Sequence, residues 1–282
     1  MSFNARWCEL AAATALASAA FLVACGGDDN PEPTSLAITA KDAGKGAATL
    51  DAPSDATGGL TEVTLTNDSS APQEAQLARL DEGYTADDLL KVIAGNGQIP
   101  DWLHTEGGIG TIPPGESSTT TVNLPEGNYA IVSAPEGSKT PATADLTVGG
   151  GEEGDLPSTD ASVTAADEGD DEYKWEISGL TAGENTFTFN SEGDDALHHL
   201  ILAPIVGDAS IEDVKSDLES NGPPKSIDFR GVVNTAALDG DVSEVTQLNL
   251  EPGRYAAICF LTDRDSKKPH FEEGLLDEVE IK

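Results

Sequence analysis

Leu250-Glu251-Pro252-Gly253-Arg254-Tyr255-Ala256-Ala257-Ile258-Cys259 has a counterpart 126 positions earlier, Leu124-Pro125-Glu126-Gly127-Asn128-Tyr129-Ala130-Ile131-Val132-Ser133. Leu, Gly, Tyr and Ala recur in register, with a proline-bearing turn before the glycine and an apolar run after the tyrosine. Further upstream, Pro72-Gln73-Glu74-Ala75-Gln76-Leu77 falls against Leu197-His198-His199-Leu200-Ile201-Leu202 at an offset of 125. Two separate blocks agree to within one residue, so the chain reads as two copies of one unit.

Within each copy the alternating runs, such as Glu62-Val63-Thr64-Leu65-Thr66 and Thr119-Thr120-Thr121-Val122-Asn123-Leu124, are cut by Gly, Pro and Asn and read as short strands. One helix per copy is expected, over Thr85–Ile93 and Ser210–Leu218. Each opens on Thr or Ser with an acid three residues on, then spaces its apolar residues three and four apart. The predicted fold class is all-β: two tandem Greek-key β-sandwiches, each with a short inserted helix. Gly149-Gly150-Gly151-Glu152-Glu153-Gly154-Asp155 reads as a flexible acidic linker. The halves are therefore 35–148 and 158–282, with 149–157 between them.

Ahead of the first half stand Arg6 and a small, apolar run from Leu10 to Ala24, the layout of a secretory signal over residues 1–24. Its end, Leu22-Val23-Ala24-Cys25, resembles the lipobox of bacterial lipoproteins. That resemblance implies that Cys25 takes a diacylglycerol, becomes the new N-terminus and holds the chain to the cell membrane on the extracytoplasmic side. Two acyl chains anchor durably where one does not. Residues 25–34, rich in Gly, Asp, Asn and Pro, then form a tether.

With 51 acidic against 15 basic residues and a net charge of −36, the chain repels phosphate backbones and anionic headgroups, which excludes nucleic acid as a partner. The same charge suits a solvated surface in a salty medium or a cationic redox protein as partner, and its sign does not choose between them.

Of the three cysteines, Cys8 leaves with the signal and Cys25 is acylated. Cys259 is left alone in a compartment where thiols pair. The two-residue period of a strand puts Tyr255, Ala257 and Cys259 on one face. Ten residues later comes Pro269-His270-Phe271-Glu272-Glu273-Gly274-Leu275, then a last strand, Glu278-Val279-Glu280-Ile281. An upstream His, a Gly-x-Tyr-x-x-x-Cys strand, a Pro-His and a Gly-hydrophobic pair before the terminal strand resemble the cupredoxin (blue copper) family over most of each half. The resemblance implies copper held by His198, Cys259 and His270, with Leu275 where the family carries an axial Met. It implies electron transfer or copper handling, with a redox protein as partner. His199 faces the opposite way from His198 on a strand, and the repeat register favours His198. In the first half the equivalent places hold Gln73, Ser133 and Pro141-Ala142.

The same residues also admit a metal-free reading, as a cell-surface binding or structural module. An inward Cys serves as a small core hydrophobe, and a His after Pro serves as a turn residue. His104 reads as a loop residue without partners, and the acids Asp263, Asp265, Glu272 and Glu273 do not follow EF-hand spacing. No Ser-His-Asp arrangement, Walker loop or Rossmann fingerprint is visible, and the chain is expected not to be an enzyme.

Overall fold

The alternating runs form strands because each can turn one row of side chains to a core while its backbone pairs with a neighbour. A computed structural model of the protein describes residues 30–44, 47–95, 99–135, 140–170, 172–193, 196–220, 222–264 and 268–282. The expected signal segment, Cys25 with its expected acylation and the expected tether up to residue 29 lie outside them. Among the described residues no helix is long and apolar enough to cross a membrane.

The fold is all-β with two short helices. Three sheets carry it, of eight, seven and four strands. Each half contributes matching pairs. Thr34–Gly44 runs parallel to Gly59–Asn67 in the first half, and Ala161–Gly169 runs parallel to Gly183–Ser191 in the second. Gly127–Ser133 is antiparallel to Ala142–Gly149, and Gly253–Ile258 to Leu276–Ile281.

The duplicated stretch shows how the strand period works on both of its faces. Tyr255, Ala257 and Cys259 enter a core with Trp175, Phe187 and Phe189, whereas Ala256 and Ile258 pack under the helix Ile211–Leu218 against Val214. In the first half Tyr129 and Ile131 face one core, and Ala130 and Val132 lie beneath the helix Ala86–Ala94 with Leu89. Both faces of each strand are therefore apolar. The tyrosine of each stretch ties down its own turn: Tyr129 donates to the Pro125 carbonyl at 2.8 Å and Tyr255 to the Glu251 carbonyl at 2.9 Å. Both helices start where the capping pattern places them. Ser210 Oγ accepts from the Asp213 amide while the Ser210 amide donates to Asp213, and the Thr85 amide donates to Asp88.

The repeat pattern does not reveal how closely the halves are joined. The eight-stranded sheet passes through both, because Ser243–Leu250 of the second half lies antiparallel beside Ser117–Leu124 of the first. The seam is polar. Gln76 exchanges two hydrogen bonds with the Ala237 backbone, at 3.0 and 2.7 Å. Asp239 accepts from the amide and hydroxyl of Thr105, and Arg264 bridges Asp239 and the Leu103 carbonyl. The glycine-rich segment expected to be flexible is also held, by Leu60 N–H to the Glu152 carbonyl and by two bonds between Asn123 and Gly154. Its backbone groups find partners on the strands Gly59–Asn67 and Ser117–Leu124, as buried or half-buried main chain must.

Candidate metal centre

Four backbone bonds assemble the neighbourhood of Cys259. The Cys259 amide donates to the Leu275 carbonyl at 3.1 Å, and the Cys259 carbonyl accepts from Phe271 at 2.9 Å. His270 N–H reaches the Leu261 carbonyl and Leu275 N–H reaches the His270 carbonyl. The residues next to Cys259 and those next to His270 are thus fastened to each other. Pro269 precedes a single 3₁₀ turn, His270–Glu272, and its fixed φ sets the turn's entry. Gly274 closes the turn with φ +115°, and a Cβ there would run into the Tyr173 carbonyl oxygen, so only glycine fits. His198 arrives from the short strand Leu197–His198, which pairs with Leu238–Asp239.

These elements bring His198, Cys259 and His270 together, all at 0 % exposure. His270 Nδ1 lies 3.0 Å from His198 Nδ1 and 3.6 Å from Cys259 Sγ, and the three donor atoms all fall within 4.8 Å of one another. The outer nitrogens are spoken for. His198 Nε2 faces the Glu192 carbonyl at 3.1 Å and His270 Nε2 faces Asp263 Oδ1 at 2.8 Å. A carbonyl and a carboxylate only accept, so both Nε2 atoms carry hydrogen and both Nδ1 atoms face inward with the sulfur. Two lone pairs 3.0 Å apart repel unless a cation, a proton or a metal ion, sits between them.

Electrostatics follow the same arrangement. Burial lowers His198 to about 3, with the charge on His270 adding to the effect, and lowers His199 to about 4. Burial also works against His270, but the Asp263 carboxylate and the Cys259 sulfur reverse it and raise His270 to about 9. Asp263 is itself buried, which opposes its charge. The bonds from His270 and from the Tyr173 hydroxyl nevertheless hold it below the usual carboxylate range. The Tyr173 ring lies against both imidazoles, with centroids 4.7 and 4.8 Å away, and closes the site on that side. Leu275 is fully buried in the same core and offers no donor.

The sequence places three side chains here and the structure brings all three together. His199 turns away, its Nε2 accepting from the Phe260 amide at 3.1 Å. His104 differs from its expectation: it sits in the strand Leu103–Ile112, with Nε2 3.2 Å from Asp81 and Nδ1 3.5 Å from Asp239. By sequence Asp263 figures only among the acids weighed against a calcium loop, and Tyr173 is not singled out, yet both stand at the site. Asp263 is one acid among many, and Tyr173 lies in Glu172–Ser178, far from the duplicated blocks. In the first half the equivalent pair also meets: Ser133 Oγ donates to Gln73 Oε1 at 2.8 Å, with both buried.

No protein-family model and no curated protein sequence matches the chain. Solved structures similar to it include auracyanin A, a "blue" copper protein from Chloroflexus aurantiacus, at 14% identity over 42% of this chain and 100% of that one, with a TM-score of 0.31. A copper nitrite reductase from Nitrosomonas europaea is 16% identical over 89% of this chain and 94% of that one, with a TM-score of 0.25. A multicopper oxidase is 14% identical over 88% of each chain, with a TM-score of 0.22. The expectation that the chain is not an enzyme is corrected by these similarities, since a nitrite reductase and an oxidase are among them.

Proposed function

We propose that the second half holds one copper ion through His198 Nδ1, Cys259 Sγ and His270 Nδ1, and that the protein moves electrons or handles copper outside the cytoplasm. The chain is read as two tandem cupredoxin-like Greek-key sandwiches over 35–148 and 158–282. The first half keeps the scaffold, and the whole is attached to the membrane through Cys25.

The observation that carries this reading is the inward convergence of two imidazole lone pairs and one thiol, each already anchored from outside. For donors at about 2.0 to 2.3 Å around one ion in a trigonal plane, the nitrogens stand about 3.5 Å apart and nitrogen and sulfur about 3.8 Å apart. The observed 3.0 and 3.6 Å need only a few tenths of an ångström of adjustment. The set also fits by type. Thiolate with two imidazoles and no fourth side-chain donor would suit copper better than tetrahedral zinc, and Leu275, buried in the same core, offers no further donor. Bound there, copper supplies a one-electron couple. The protein's part is to keep the three donors fixed and dry, so that little moves when the charge changes. A redox protein that docks on this acidic chain would have to be cationic at its contact.

The test is to titrate the purified protein with Cu(II). One equivalent is expected to bind and turn the solution blue, and Cys259→Ser is expected to abolish the colour. A protein that stays colourless and retains no copper rejects the reading.

A further inference from the structure

The two histidines of the site are held differently. His198 donates its outer N–H to a neutral carbonyl, Glu192 O, at 3.1 Å, whereas His270 donates to an anion, Asp263 Oδ1, at 2.8 Å. Asp263 is 3 % exposed and His270 0 %, so water does not replace that contact. The same Asp263 oxygen also accepts the Tyr173 hydroxyl at 3.0 Å. Two donors on one oxygen, from two different strands and loops, fix where the carboxylate stands.

We propose that Asp263 is a positioning residue for the metal centre: it fixes which nitrogen of His270 faces the ion and makes that nitrogen the more electron-rich of the two imidazole donors. This rests on the copper reading above. An imidazole whose Nε2–H is held by a carboxylate presents Nδ1 as its lone pair and cannot flip without breaking a buried charged bond. The carboxylate's charge is felt through the ring, which strengthens the ligand toward the more positive ion and favours Cu(II) over Cu(I). The long Cys259–His270 loop acquires a purpose. Bonds from His270 to the Leu261 carbonyl and from Phe271 to the Cys259 carbonyl join its two flanks, and residue 263 thereby stands at the outer nitrogen of residue 270.

The experiment measures Cu(II) and Cu(I) affinities by competition with chelators, for the wild-type protein and for Asp263→Asn, which keeps an acceptor oxygen and drops the charge. Cu(II) binding is expected to weaken about 10- to 100-fold while Cu(I) binding changes far less, so the reduction potential rises. Tyr173→Phe keeps the ring and removes one of the two donors on Asp263. It leaves His270 as the donor on a more electron-rich carboxylate, so it is expected to move the same ratio in the opposite direction by a smaller factor, and it answers the question should Asp263→Asn not fold. Wild-type protein that binds no copper overturns the copper reading and this proposal with it. Wild-type protein that binds copper, with a Cu(II)/Cu(I) affinity ratio unchanged in both variants, overturns the role of Asp263 alone.

Discussion

Glu244 sits at the seam between the halves at 0 % exposure, and its replacement by Gln is expected to stabilise the protein in a pH-dependent way. Oε2 accepts from the Gly108 amide at 2.9 Å and contacts the Thr120 hydroxyl at 3.1 Å, while Oε1 has no hydrogen-bond partner among the described residues. Burial raises the carboxyl from 4.5 to about 8, against the smaller opposing effect of those two donors. Below pH 4.5 the acid is neutral in both folded and unfolded chains, and the stability it allows is fully present. As the pH rises toward about 8 only the folded chain keeps the proton, so the unfolded state gains and stability is lost across that window. At pH 7 the loss is about 3 kcal/mol, at roughly 1.4 kcal/mol per pH unit above the unfolded value. Glu244→Gln mimics the protonated side chain at every pH. Its stability relative to wild type should therefore climb by about 3 kcal/mol between pH 4.5 and 7. Urea unfolding of both proteins at several pH values reads this as a difference, in which the titration of the many surface acids cancels. A difference that stays constant from pH 5 to 7 would show that the buried carboxyl is not holding a proton, and would refute the reasoning.

Gly274→Ala places a Cβ against the Tyr173 carbonyl in a left-handed backbone, so the turn holding His270 and Leu275 must shift. The expected result is a loss of more than about 1 kcal/mol in unfolding measurements, with copper binding weakened as well. His198→Ala is expected to abolish the blue colour, while His199→Ala keeps it, because His199 serves the Phe260 amide rather than the site; visible absorption after copper addition decides. Cys25→Ser is expected to move the expressed protein from the membrane fraction to the soluble extracytoplasmic fraction, read by fractionation and immunoblot; persistence at the membrane would remove the lipid-anchor proposal.

Much of the strand pattern was legible because a strand's period of two leaves a local signature, as in Tyr255, Ala257 and Cys259 on one face and Ala256 and Ile258 on the other. Both helices were legible for a similar reason, since Ser210 with Asp213 and Thr85 with Asp88 announce a start within four residues. The convergence of His198, Cys259 and His270 could be read because Cys and His are rare in this chain and stood in the order that resembles a family's. Asp263 could not, since its role depends on a loop folding back and acids are everywhere in the sequence. The seam was equally hidden: Glu244, Gln76 and Asp239 acquire partners more than a hundred residues away, and no local spacing marks such pairs.

The contact between Gln73 and Ser133 bears on what the scaffold does and what the side chains do. Those positions carry no His and no Cys, yet their side chains meet at 2.8 Å in a buried place, as His198 and Cys259 converge in the other half. The backbone therefore brings the two positions together whatever occupies them, and one half settles the resulting buried polar contact with an ordinary hydrogen bond. The other half settles it through charge instead: its outer N–H groups are already committed, so the 3.0 Å contact between the two Nδ1 atoms is closed by a second proton on His270 or by another cation. The difference between the halves is thus one of chemistry laid on a shared geometry. It follows that Cys259→Ser with His198→Gln is expected to leave a folded second half with a hydrogen-bonded pair in place of the site, seen as wild-type-like circular dichroism without copper binding. Collapse of the fold in that double variant would mean that the trio is needed for the structure itself.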